Sequence, residues 1–108
     1  MPTIYENEQK LNTITGVNQV HINQAKRIIY NLHIQPDIIQ YGSLLKFEFT
    51  FPNGTMMDAG FYDFGIECSY TVDHNGFTYS KTEVVNTDTE FIKLFLSVSR
   101  KYALYFSI

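Results

Sequence analysis

Residues 46–60 read KFEFTFPNGTMMDAG, and this stretch decides the fold. Leu45, Phe47, Phe49 and Phe51 alternate with Lys46, Glu48 and Thr50, the period of two that marks a half-buried strand. Pro52-Asn53-Gly54 then suits a type I turn closed by a glycine bulge. Folding the arms about that turn pairs Phe51 with Thr55, Phe49 with Met57, Phe47 with Ala59 and Leu45 with Phe61. All the large apolar groups fall on one face, and Glu48 stands directly across from Asp58 on the other.

Working outward, a turn at Asp63-Phe64 pairs Phe61 with Ile66, Ala59 with Cys68 and Met57 with Tyr70, which keeps the same face apolar. Asn75-Gly76 is a strong hairpin signal and pairs Val72 with Tyr79 and His74 with Phe77. Three turns chosen separately agree on the buried face, which predicts an antiparallel meander of four strands. The last strand departs from the pattern, because Lys81 and Glu83 fall on the apolar side. A bulge that turns Val84 inward is the preferred reading; the alternative is an edge strand whose inward charges deter sheet-to-sheet association.

Thr87 and Glu90 have capping-box spacing, and Phe91, Leu94, Phe95, Val98 and Tyr102 follow as a helical stripe, predicting a helix over 88–101 that covers the sheet. Tyr102, Leu104, Phe106 and Ile108 alternate, so the chain can finish as a fifth strand. Upstream, Asn23 is positioned to cap a helix over 24–33 with Ala25, Ile28, Ile29 and Leu32 on one face, ending before Gln35-Pro36. Leu11 to Ile22, rich in Thr, Val and Ile, reads as one or two short strands broken at Gly16, and residues 1–10 as a loose polar arm. The expectation is a single α+β domain over residues 1–108. It has two layers: a four- or five-stranded antiparallel sheet with one face covered by one or two helices.

A chain of 108 residues removes roughly 65% of its extended surface from water on folding, enough for a core without staples. Cys68 is the sole cysteine, so no internal disulfide forms and a reducing, cytoplasmic setting is expected. No apolar run nears the roughly 18 residues of a spanning helix, so no membrane role is expected. The net charge of −3 hides an uneven layout. From Asp37 to Glu90 nine acids stand against Lys46 and Lys81, a net of −7, while the flanks carry +4.

Candidate chemistry is sparse. Cys68 faces the core opposite Ala59, and His74, six residues on, lies about 20 Å away along a strand, too far for a dyad. A buried cysteine acting as a small hydrophobe accounts for it. His21, His33 and His74 show no metal-ligand spacing, and the glycines are scattered through hairpins rather than gathered in a phosphate loop, so no metal or cofactor is expected. Catalysis is not expected either.

What remains is the polar face of the sheet. One row across the strands reads Glu48, Asp58, Ser69, Thr82 and the next Lys46, Gly60, Glu67, Val84, with Asp73 at one end and Met56 as an apolar side chain beside them. Like charges directly opposite cost up to about 1 kcal/mol. A solvated polar face is the plain reading. The functional one is that Glu48, Asp58, Glu67, Asp73 and Met56 receive a basic protein partner, or that Glu48 and Asp58 weakly coordinate a hard cation. At fold level the layout resembles small bacterial immunity proteins and phage-encoded inhibitors, a likeness of architecture that does not itself carry a function. The alternatives are nucleic-acid binding through Lys26, Arg27, Lys93, Arg100 and Lys101, a small-ligand pocket between sheet and helices, and a homo-oligomer formed through the edge strand or the tail.

Overall fold

Alternation in residues 45–61 produces the expected hairpin. In a computed structural model, which describes residues 4–102, β2 (Leu44–Thr50) and β3 (Met56–Tyr62) pair with Leu45 opposite Phe61, Phe47 opposite Ala59 and Glu48 opposite Asp58. The turn between them closes through Gly54 N–H to the Phe51 carbonyl (2.8 Å) and Phe51 N–H to the Thr55 carbonyl (2.9 Å), with Gly54 at φ +87°. β4 (Gly65–His74) and β5 (Phe77–Val85) continue the meander in the expected registers. Asn75 and Gly76 both take positive φ, 51° and 81°, the requirement of a type I′ turn.

Among the described residues the sheet has five strands, in the order β1-β2-β3-β4-β5, and the fold is α+β. Its fifth strand is β1 (Asp37–Tyr41), which precedes β2 and pairs with it through Ile38 opposite Phe47. The strand expected in the tail lies outside the described residues, apart from Tyr102, which caps a helix.

Three helices, α1 (Ile4–Thr13), α2 (Gln19–Leu32) and α3 (Asp88–Lys101), occur in the described chain. α3 has the expected bounds. The Thr87 hydroxyl accepts from Glu90 N–H (3.1 Å), and the Glu90 carboxylate accepts from Asn86 N–H (2.8 Å). Phe91 and Phe95 are fully buried, and Phe95 packs against Phe49 and Phe51 with ring centroids 5.1 and 5.9 Å apart. Such ring pairs add about 0.5–1.5 kcal/mol beyond the area they bury.

The N-terminal third departs from expectation. α2 begins at Gln19, not 24, and its cap is Asn18, whose side chain accepts from Val20 N–H (2.9 Å). Its buried stripe is His21, Ile22, Ala25, Ile28 and Ile29. It does end where expected, with His33 in the left-handed region (φ 51°) and its N–H on the Ile29 carbonyl. The strand expected over 11–22 does not form: β-branched residues favour one locally, but the Asn18 cap and the apolar stripe of α2 outweigh that preference. Residues 4–10, expected as part of a loose arm, instead form α1 together with residues 11–13, held by buried Leu11 and by an Asn7 amide that donates to the Gln35 side-chain oxygen (2.8 Å).

The bulge expected in β5 is also absent. Pairing with β4 runs unbroken from Val85 opposite Ile66 to Phe77 opposite His74. Lys81 and Glu83 therefore lie on the helix side of the sheet, 3.3 Å apart as an ion pair, and Val84 lies on the open side, 50% exposed. The inward charges are tolerated because β5 is an edge: inward-facing Tyr79 is itself 41% exposed.

Candidate functional site: the open face of the sheet

The face opposite the helices takes its chemistry from the registers. β1 extends the central row, which reads Asp37, Glu48, Asp58, Ser69, Thr82 across neighbouring strands. Strands in a sheet stand about 4.8 Å apart, so three successive carboxylates share one line. Asp37 is not among the residues expected here. The alternation of Asp37 with buried Ile38, followed by Gly42-Ser43 as a two-residue turn, is the signal that places it.

The adjoining row reads Ile39, Lys46, Gly60, Glu67, Val84. The Lys46 ammonium lies 5.9 Å from the Tyr41 ring centroid. Among the described residues, neither the Glu48 nor the Asp58 carboxylate has a hydrogen-bond or ion-pair partner. Both are half-buried, as is Glu67, whereas Asp37 and Asp73 are exposed. On β4 and β5 the face is a ladder of hydroxyls. Ser69 meets Thr82 at 2.9 Å, Thr71 meets Ser80 at 2.9 Å, and the Thr78 hydroxyl donates to Asp73 at 2.6 Å.

These groups line an open trough of about 830 Å³ that includes Glu48, Asn53, Met56, Asp58, Ser69 and Asp73. Four of the five expected site residues are thus brought together. Met56 is 48% exposed on the trough wall, while Glu67 shares the face but lies outside the trough. Next to it, Tyr62 leans back over Gly60, where a Cβ would meet its ring at 2.9 Å, and stacks on exposed Phe64 with centroids 4.8 Å apart.

Other candidates are less well placed. Cys68 is buried under the sheet, and burial, with the Glu83 and Asp58 charges adding to it, pushes its thiol up to about 12, so it is no nucleophile near neutral pH. His21 is buried with Nε2 3.5 Å from the Asp63 carboxylate. Among the described residues no three His, Cys, Asp or Glu side chains gather closely enough to hold a metal ion, so Glu48 and Asp58 lack a third protein ligand for a cation. Between the layers, a hollow of about 320 Å³ opens beside Asn18, His21 and Phe61 at one end of the sheet, much smaller than the trough. Among the described residues no helix is long and apolar enough to cross a membrane.

The basic residues sit on the other layer. Lys26 and Arg27 are on α2, and Lys93, Arg100 and Lys101 on α3. Arg27 is committed: its guanidinium grips Asp88 at 2.9 and 3.2 Å, which holds the Asp88 carboxyl below its usual value. Open sheet face and helical layer therefore differ in the sign of their charge. Comparison of the chain with known protein families, curated proteins and solved structures finds no match.

Proposed function

We propose that this chain is a small non-enzymatic protein-binding domain, an inhibitor or regulator of immunity type, that docks its open sheet face on a basic protein surface. The observation that carries this reading is the row Asp37, Glu48, Asp58, of which Glu48 and Asp58 line the trough, with no cation set against Glu48 or Asp58 among the described residues. Carboxylates lined up in this way cost stability, and a lysine or arginine entering from a partner relieves that cost through short charge-assisted hydrogen bonds. Met56 supplies apolar contact beside them, and the hydroxyl ladder offers both donors and acceptors. A cytoplasmic setting is in keeping with one buried, unpaired cysteine. Nucleic-acid binding by the helical layer is the weaker reading, because Arg27 is already paired with Asp88.

The test is capture of a partner from the native cell extract on the immobilised chain, repeated with Glu48→Lys and Asp58→Lys. The expected result is strong loss of the partner from a variant whose circular dichroism is unchanged. Equal capture by the folded double variant sinks the proposal.

A further inference from the structure

Among the described residues the sheet order leaves β5 as one edge, and every residue of this nine-residue strand is exposed or partly exposed. The opposite edge, β1, has five residues. A long edge presents a row of N–H and C=O groups to any strand that arrives, and proteins usually blunt it with proline, a bulge, a very short strand or inward-pointing charges, which an unmatched strand would leave unpaired. β5 has no proline and no bulge, and it is nine residues long: its sequence is FTYSKTEVV, and its pairing with β4 is unbroken. It does carry Lys81 and Glu83, two residues apart on the helix side, as its only charges.

We propose that two copies of the chain pair antiparallel through β5 about a twofold axis at Thr82, joining their sheets into one. In that register Thr82 faces its own counterpart, and Lys81 of each copy faces Glu83 of the other, so that two opposite-charge pairs form on the same face. Tyr79 falls opposite Val85 beside them, and Ser80 opposite Val84 on the open side. Opposed side chains across antiparallel strands stand about 4.5–5.5 Å apart, within reach of a Lys-Glu pair. Centring the axis one residue earlier puts Lys81 against Lys81, and one residue later puts Glu83 against Glu83. The charges thus favour one register and disfavour its neighbours, and the contact is self-complementary as a twofold interface must be. The Lys81–Glu83 pair within one chain has side chains 45% and 33% exposed, so exchanging it between copies requires no opening of the core.

Sedimentation equilibrium over a wide concentration range tests the proposal, because it predicts a reversible monomer–dimer equilibrium. Lys81→Glu alone and Glu83→Lys alone each create two like-charge pairs and should weaken dimerisation roughly tenfold. The double exchange Lys81→Glu/Glu83→Lys restores opposite charges across the axis and should recover the wild-type constant. A chain monomeric at all concentrations, single variants that dimerise as well as wild type, or a folded double variant as weak as the singles overturns it. Amide exchange of the unaltered chain provides a check free of variants: outward-facing β5 amides should be protected only at high concentration, and exchange independent of concentration counts equally against the proposal. Neither readout involves Glu48 or Asp58, so failure here leaves the acidic-face reading standing.

Discussion

Glu48 and Asp58 are direct partners across β2 and β3, half-buried, and without a counter-charge on either carboxylate among the described residues. The arrangement opposes folding. Glu48→Gln or Asp58→Asn should therefore raise stability by about 0.5 kcal/mol in urea unfolding, while weakening capture of the proposed partner. A variant that loses stability shows that the carboxylates are supported in a way the register does not reveal.

Arg27 and Asp88 tie α2 to the first turn of α3. The Arg27 side chain is 53% exposed, which limits the pair to about 1 kcal/mol or less. The hydrogen bond from Arg27 depresses the folded-state value of Asp88. The contribution is thus present above the ordinary carboxylate value and is lost as pH falls through the lower folded value. Arg27→Gln should cost stability at neutral pH and progressively less as the solution becomes strongly acidic. An equal penalty at both extremes contradicts the linkage.

Cys68 reports on opening. With its thiol raised to about 12 by burial, it should resist a thiol-specific disulfide reagent in the folded protein at pH 8 and react at the rate the sheet opens. Labelling as fast as that of a free thiol in the absence of denaturant is the contrary outcome.

Gly65 begins β4 at φ +144°, and a Cβ there would meet the Val85 carbonyl oxygen at 2.5 Å. Gly65→Ala should destabilise the fold by about 2–3 kcal/mol, since both backbone angle and space are refused. Gly76→Ala is the control for angle alone, because no atom lies within 4 Å of its Cβ position at φ +81°. The difference between the two losses, measured by thermal unfolding, isolates the clash.

The sheet from β2 to β5 was legible because alternating phenylalanines and turn residues specify one register between them. Where one of the two signals weakens, legibility fails. Asp37–Tyr41 offers only five residues with two adjacent isoleucines, and overlooking it as a strand hid Asp37 from the acidic row. α1 turns buried Asn7 towards Gln35, so it shows little apolar stripe to read. Lys81 and Glu83 break the rule that inward positions are apolar because an edge strand's inward side still meets water. Within the site, the Glu48–Asp58 pairing followed from the hairpin, but the exclusion of Glu67 from the trough depends on the three-dimensional shape of the sheet.

An acidic sheet backed by a layer bearing Lys26, Lys93, Arg100 and Lys101 gives the molecule a dipole roughly normal to its strands. Near a positively charged surface, the field of that surface exerts a torque on the dipole which turns the carboxylates forward before any atoms touch. Fewer collisions are then wasted on the wrong side. For the proposed basic partner, the gain should show as an association rate that falls with added salt, while the dissociation rate, governed by close contacts, should change far less.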